Sequence, residues 1–417
     1  MKVAIIGSGV SGLVCAHLLH RDHDITVFEA DARVGGHANT VTATHNGRDT
    51  PVDTGFIVYN ERNYPNLTRL FRRIEVPTQP APMSFSVRCD ASNMEYGGSS
   101  IRALYAQRRN LIRPRFHRML ADILRFNRRA PGDLANGAIP AQATLGEYLE
   151  RERYGALFVE KYLLPMGSAI WSAPLASMRD FPLRFFVRFF DNHGMLQVRD
   201  RPQWRTVVGG SREYVARLTR PFRSQIETST PVLRVRRYNE FIEAILPGGE
   251  RRRFDEVVFA THSDQALRIL DRDATRAERD ILGAIPYQAN ETVLHSDAGL
   301  LPRRRRAWSS WNYHLSQNDP GRVAVSYNMS ILQSLEGERP LSVTLNRTDA
   351  IDPRLVHERL NYSHPQFTEA GLEAQRRHAE VSGRNRTHYC GAYWGNGFHE
   401  DGVVSALRVG ARFGVAL

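Results

Sequence analysis

Lysine is almost missing from this 417-residue chain. It occurs only at Lys2 and Lys161, and every other basic side chain apart from histidine is arginine. Cysteine is nearly as scarce, with Cys15, Cys89 and Cys390 an odd, scattered set. They suggest no disulfide framework and no zinc-ligand spacing, so no metal site is expected and a reducing cytosol fits. No apolar run approaches the ~20 residues that a membrane-spanning helix needs. No charged segment and apolar stretch precede the first predicted strand, so no secretory signal is expected and the chain is assigned to the cytoplasm. Repeats and low-complexity linkers are absent as well. Hydrophobic content is 42%, ordinary for a soluble protein. The length leaves room for two or three domains.

What is present begins at the N-terminus. Val3 to Ile6 is a short, largely β-branched run that predicts a buried strand. Gly7-Ser8-Gly9-Val10-Ser11-Gly12 follows at once, then Leu13, Ala16, His17, Leu19 and His20 in a helical window. A second strand, Ile25 to Phe28, ends at Glu29. Strand, tight turn, helix and strand within about 30 residues is the context in which G-x-G-x-x-G binds a dinucleotide. Gly7 makes the turn, Gly9 lets the backbone approach a pyrophosphate, and Gly12 lets helix pack on strand. The helix N-terminus offers free N–H groups and a positive dipole end. Glu29, 22 residues after Gly7, is placed to accept hydrogen bonds from ribose hydroxyls.

Beyond Glu29 and Ala30 stand Arg33, Gly35, Gly36 and His37. An NAD domain does not need that second glycine pair. The pattern E-x-x-x-R-x-G-G resembles the extension that wraps the FAD pyrophosphate in flavoproteins of the amine oxidase and phytoene desaturase superfamily. There a second arginine usually follows; here His37 takes its place, which makes that phosphate contact weaker or pH-dependent. The resemblance implies FAD, and no cysteine or histidine stands in a flavinylation context, so the FAD is expected to be non-covalent.

The net charge is +12, and the arginines cluster. One cluster is Arg303 to Arg306; another runs through Arg108, Arg109, Arg113, Arg115 and Arg118. From Pro114 to Arg129, Phe116, Met119, Leu120, Ile123 and Phe126 fall near one helical face with arginines around them. Such a helix either lies on an anionic membrane or is an ordinary surface helix with a solvated face. No nucleic-acid recognition motif accompanies the charge, so no nucleic acid partner is expected. The oligomeric state is left open.

Further along, Val207-Val208-Gly209-Gly210-Ser211 precedes a helical window reaching Leu218. An extended stretch through Val232 follows, then a buried strand from Phe254 that ends at Ala260 and Thr261. Near the C-terminus, glycines at 391, 395, 397 and 402 lead into a helix from Val403 to Phe413. A flavin gives that turn a purpose, because its N1–C2=O edge gains negative charge on reduction and a helix N-terminus stabilises it. Glu400 or Asp401 is expected to accept a ribityl hydroxyl. The expected fold is α/β, a Rossmann-like FAD domain with an inserted mixed α+β substrate domain. The FAD domain takes residues 1–75, 205–285 and 381–417; the substrate domain takes 76–204 and 286–380.

More of the chain has a specific likeness. It includes Asp53-Thr54-Gly55-Phe56 running on to Tyr59, Asn60 and Tyr64, with Asn192-His193-Gly194-Met195-Leu196 and Arg201-Pro202-Gln203-Trp204 further on. Thr261-His262, Trp308-Ser-Ser-Trp311-Asn312-Tyr313 and Gly397-Phe-His399-Glu400-Asp401-Gly402 complete it. These resemble the bacterial FAD-dependent oxidoreductases found beside cyclopropane-fatty-acid synthase-like methyltransferases. Ser405-Ala406 replaces the family's usual Ser-Gly, and a Trp-Met-Asn sequence is altered near Tyr327 to Ser330. The second change bears on the substrate pocket. The resemblance implies hydride removal from an unsaturated fatty acyl chain or phospholipid, as in a desaturase of furan fatty acid synthesis. It also implies a neighbouring lipid methyltransferase as partner, and the arginine clusters add the expectation of a peripheral place on the inner membrane face. Alternatives are a fatty acid double-bond isomerase, an amine or porphyrinogen oxidase, and a non-catalytic FAD-bearing subunit.

Flavin amine oxidases often hold a lysine near flavin N5, and neither lysine here has that context. The catalytic candidates are therefore His399, Tyr59, Asn60, Tyr64 and His193; each is open to a structural role, and His399 is the favoured one because its neighbours should touch the flavin ring. Trp311 and Tyr313 are substrate-side candidates. In Phe181 to Phe190, Arg184 and Arg188 share one helical face and four phenylalanines form another. Either this helix lines an acyl tunnel, an arginine holding a carboxylate or phosphate, or it is a core helix.

Overall fold

The computed structural model describes residues 1–45, 47–171, 173–197, 201–316 and 324–417. Its nucleotide-binding half is a five-stranded parallel sheet. The strand order is Ile226–Glu227, Asp24–Phe28, Lys2–Ile6, Glu256–Phe259 and Thr387–Tyr389. Strands far apart in sequence thus lie side by side. Val3, Ala4 and Ile5 are wholly buried, as a central parallel strand covered on both faces requires. The helices Val10–Leu19 and His399–Arg412 pack on each other over this sheet. They come so close that a Cβ on Gly402 would stand 2.7 Å from Val10 Cγ1.

A second sheet has seven strands and is mixed. It runs from the long edge strand Val356–Pro365 through Tyr287–His295 and Trp311–Leu315 to Phe85–Cys89 and Met94–Gly97. Trp311–Leu315 and Phe85–Cys89 pair in parallel; the other pairs are antiparallel. Helices Pro114–Ala135, Leu145–Arg151, Leu164–Trp171 and Leu183–Asn192 contribute to the largest apolar core, with residues from this sheet. The expected Rossmann-like FAD fold with an added mixed α/β substrate half is the one found. No helix among the described residues is long and apolar enough to cross a membrane.

The helix at 114 shows which of its two readings holds. Phe116, Met119 and Phe126 are buried in the core, with Leu120 and Ile123 packed beside them. Its apolar face is therefore used internally and is not free to lie in a bilayer.

Candidate functional site

One cavity of ≈ 1180 Å³ runs from the end of the first strand to the large aromatic core. It exceeds the usual range for one small ligand of about 300–1,000 Å³. Gly7 stands at its start with φ +102°, a conformation that side chains oppose, and a Cβ there would be 2.9 Å from the Ala260 carbonyl oxygen. Gly12 faces inward, where a Cβ would collide with the Gly7 carbonyl oxygen at 2.0 Å. Gly9 has nothing within 4 Å of its would-be Cβ, so it presents bare backbone to open space. The helix beginning at Val10 has no side-chain cap and no acid in its first turn. Its first N–H groups are left for an anion.

Around this turn the polar groups fit a dinucleotide. Glu29 lines the cavity and accepts from the backbone N–H of Ser8 and of Asp31, each at 2.9 Å, and from the Ser8 hydroxyl. That fixes its carboxylate and leaves lone pairs for ribose hydroxyls. Gly35 N–H donates to the Ser8 carbonyl, and a Cβ on Gly36 would lie 3.0 Å from Gly9 Cα, so the second glycine pair packs onto the first loop. Arg33 and His37 line the cavity, and Arg33 Nη1 and His37 Nε2 are buried with no partner among the described residues. A buried donor left unpaired is costly, and a pyrophosphate would satisfy it. Burial, then the nearby His364, His262 and His399, holds the His37 imidazole well below its usual pKa.

Ser8, Val10, Ser11, Ala30 and Val232 also line the cavity. So do Ala260, Thr261, Thr54, Gly55, Phe56 and Gly391. Gly55 packs on His37, with a would-be Cβ 2.2 Å from its carbonyl oxygen. Gly12, Gly35 and Val403 do not face the cavity, and Val403 is core beside Val10 and Leu13.

Glu400 and Asp401 lie elsewhere than expected. Glu400 accepts from the N–H of Asn66 and of Leu67 and from the Asn66 amide, at 2.7–3.0 Å. It caps the helix Pro65–Arg73 from outside, drawn by that helix's free N–H groups. Asp401 turns back to its own helix start and accepts from Phe398 N–H at 2.9 Å. Burial raises its pKa to about 6. Neither carboxylate lines the cavity.

The catalytic candidates divide in the same way. His399, Tyr64 and His193 line the cavity; Tyr59 and Asn60 are core. Tyr59 packs on Phe71, and Asn60 Oδ1 accepts from Asn63 N–H at 2.8 Å. His399 stacks on Phe56 with centroids 3.6 Å apart and meets the Tyr214 hydroxyl at 3.0 Å. Burial lowers its pKa to about 3, so it is neutral at pH 7. His193 stacks on Phe189 at 3.9 Å, its Nδ1 lies 2.9 Å from the Phe189 carbonyl oxygen, and burial lowers its pKa to about 4. With Nδ1–H donating to that carbonyl, Nε2 keeps a lone pair. Burial and the charges of Asp401 and Glu400 push the Tyr64 hydroxyl far up, so it stays protonated.

On the substrate side, Trp311 lines the cavity with an indole N–H that is buried and unpartnered among the described residues. Tyr313 is core and does not face it. The helix Leu183–Asn192 turns Phe189 to the cavity and both arginines outward. Arg184 donates Nε and Nη2 to the Ile139 carbonyl at 2.9 and 2.6 Å, and Arg188 is exposed. The phenylalanine face is the one that gains by burial, so the arginines cannot hold a carboxylate inside.

Two site residues carried no prior sequence signal, and a third, His262, stood in a motif without being assigned to the site. Tyr362 and His364 come from the edge strand Val356–Pro365, and His262 from the start of the helix Ser263–Leu270. Their rings stand 4.9, 5.4 and 6.0 Å from that of His37. Alternation along the edge strand could have put Tyr362 and His364 on one face, but not which face. The arrangement is that of a dinucleotide-binding flavoprotein, and the comparisons say which. The chain belongs to the flavin-containing amine oxidoreductase family, whose model matches residues 10–293.

Its cofactor is accordingly FAD, and the chain is an FAD-dependent oxidoreductase. Among solved structures, a putrescine oxidase redesigned in cofactor binding is similar, at 17% identity and TM-score 0.68 over 98% of both chains. Cyclohexylamine oxidase from Brevibacterium oxydans IH-35A is similar at 15% identity and TM-score 0.69, again over 98% of both chains. A CLA-producing fatty acid isomerase from P. acnes is similar at 15% identity and TM-score 0.68, over 99% of this chain and 98% of that one. These likenesses show a shared fold. A tryptophan 2-monooxygenase from Allorhizobium ampelinum is 58% identical over 41 residues, which is 9% of this chain and 6% of that relative's length.

Proposed function

We propose that the chain removes hydride from an unsaturated fatty acyl chain lying in the aromatic half of the cavity, as a desaturase-like or double-bond-isomerising enzyme. The observation that carries this reading is the lining of that half. Tyr96, Tyr162, Met166, Trp171, Phe189 and Phe367 supply apolar surface, and the cavity's only two carboxylates among the described residues, Glu29 and Asp31, stand by the first strand's turn. A long hydrocarbon gains by burial against such walls, at about 0.8 kcal/mol per CH₂. A cationic amine would find no carboxylate there.

FAD, when bound, supplies a two-electron acceptor for hydride. The chain's own residues then have three tasks. The aromatic walls exclude water and hold the chain extended. The indole N–H groups of Trp171 and Trp311, buried without partners among the described residues, are donors for an acyl oxygen. In the desaturase reading His193, neutral and lining the cavity, takes the proton from the carbon next to the one that loses hydride, which leaves a double bond, and the electrons pass to a separate acceptor. In the isomerase reading no proton is lost: the hydride returns to another carbon of the same allylic system, and His193 has only a positioning role.

Anaerobic mixing of the holoenzyme with unsaturated fatty acids or phospholipids should bleach the flavin or shift the double bond. The second reading is amine oxidation. The family's description and the aromatic surfaces, which can flank a cation, favour it. Reduction by putrescine or benzylamine with no response to any lipid would replace the first reading with the second.

A further inference from the structure

Two arginine clusters far apart in sequence meet on the outer face of the substrate half. Glu95, a buried acid of the strand Met94–Gly97, joins them. Its carboxylate accepts from the backbone N–H of Arg303 at 3.0 Å and of Arg304 at 3.2 Å, and pairs with the Arg304 guanidinium at 3.3 Å. Its carbonyl accepts from the Asn110 amide at 3.4 Å. At Gly97 a Cβ would lie 2.9 Å from the Ala307 carbonyl oxygen and 3.3 Å from Ala103 Cβ, so the helix Ile101–Leu104 and the turn Arg305–Ala307 converge over that strand. Burial, then the charges of Arg113 and Arg304, lowers the Arg109 pKa, as expected where the clusters adjoin.

The patch has a composition of its own. Residues 98–118 and 302–307 hold ten arginines and no aspartate or glutamate. Among the described residues only Arg304 of these ten has an acid as ion-pair partner. The same segments expose Ile112 at 84%, Ile101 at 78% and Leu111 at 53%, three of the eight exposed large hydrophobics among the described residues. Exposed aliphatic tips among these arginines do not suit a single-stranded nucleic acid, whose bases stack on aromatic faces. They suit an anionic bilayer, where arginine meets phosphate and aliphatic tips enter the acyl boundary. Gly98, exposed and three residues before Ile101, lines the cavity, so the patch adjoins a cavity wall that reaches solvent.

We infer that residues 98–118 and the arginines 303–306 form a docking surface for an anionic lipid bilayer, with Ile101, Leu111 and Ile112 as its inserting tips and Gly98 as the nearby edge of the cavity. Electrostatic attraction by arginine supplies the approach, and shallow insertion supplies the hold. The surface stands apart from the proposed chemistry: vesicle binding is read without turnover, so either can fail while the other stands.

The test is flotation of the holoenzyme with phosphatidylcholine vesicles, with and without added phosphatidylglycerol, at ~0.05 and ~0.5 M salt. Binding should require phosphatidylglycerol and weaken at the higher salt. Arg305→Gln with Arg306→Gln should weaken it at least about tenfold, and Ile101→Asn with Ile112→Asn to a similar degree, both with the flavin retained. In Ile112→Trp, anionic vesicles should shift the tryptophan emission to the blue and brominated lipids should quench it. Absence of vesicle binding would overturn the inference. So would salt-sensitive binding that ignores Ile112→Asn and leaves the Ile112→Trp emission unshifted, which would point to an acidic macromolecule as the partner.

Discussion

The two ends of the cavity are built on opposite principles. At the nucleotide end, glycines and backbone N–H groups do the recognition, and each polar side chain has an assigned direction. Glu29 is held at three points, Gly7 is bent where only glycine is at ease, and Arg33 Nη1 is buried with no partner among the described residues. At the far end, walls of tyrosine, phenylalanine, methionine and tryptophan carry few polar atoms. A cofactor of fixed shape can be met group by group. A flexible apolar ligand is met by area, and area constrains residue class more than residue identity.

That contrast is open to test from either side. Gly12→Val should have the largest effect, because its Cβ would collide with the Gly7 carbonyl and push helix from strand. The expected product is insoluble or flavin-free protein, read from the visible flavin absorbance per chain. His193→Gln should leave flavin content intact and slow single-turnover flavin reduction by about 10²-fold or more, the usual scale of a lost general base. An unchanged rate would return His193 to a structural role. Glu29→Ala removes charge-assisted bonds of about 1.5–3 kcal/mol each at most. FAD affinity should fall at least about tenfold on titration of the apoprotein, with the fold kept.

A smaller effect tests burial away from the cavity. His295 lies in the second sheet with Nε2 2.7 Å from Thr344 Oγ1, and burial lowers its pKa from 6.5 to about 4. The unfolded chain therefore binds a proton there between pH 6.5 and 4 that the folded protein refuses, and stability falls as pH falls through that window. His295→Gln should flatten the decline by up to ~1.4 kcal/mol per pH unit, read from denaturant unfolding at pH 7, 6 and 5. The smallest effect is expected from Arg184→Gln with Arg188→Gln. Both side chains face away from the cavity, so KM for any acyl substrate should stay within about twofold.

The nucleotide end was legible because its logic is local. Gly7, Gly9, Gly12 and Glu29 lie close in sequence, and their spacing already implies the turn, the helix and the acid. What was misread depended on neighbours that local spacing does not reveal. Helical periodicity put Arg184 and Arg188 on one face and the phenylalanines on another, but not which face turned inward. The acids at 400 and 401 sat beside the right glycines, yet the start of the helix at Pro65 stands next to Glu400 and claims it. His262, Tyr362 and His364 meet His37 only because distant strands and a helix converge on the cavity. The motif Asp53-Thr54-Gly55 and the motif Gly209-Gly210-Ser211 prove to be one device. Asp53 accepts from Ser211 N–H and its hydroxyl, each at 2.8 Å, which ties the first chain segment to a later one.

The close crossing of Val10 and Gly402 has a temporal consequence. The helix that begins the nucleotide site cannot finish packing until the helix near residue 402 has been made. At about 5–20 residues per second, that partner arrives roughly 20–80 s later. Through that interval the nascent chain carries a glycine-lined strand and helix with apolar faces uncovered, the state most open to misassociation. Completion of the sheet by Thr387–Tyr389 and closure by Gly402 then act as a late latch, so the emerging chain gains a finished flavin cradle only once these elements have been made.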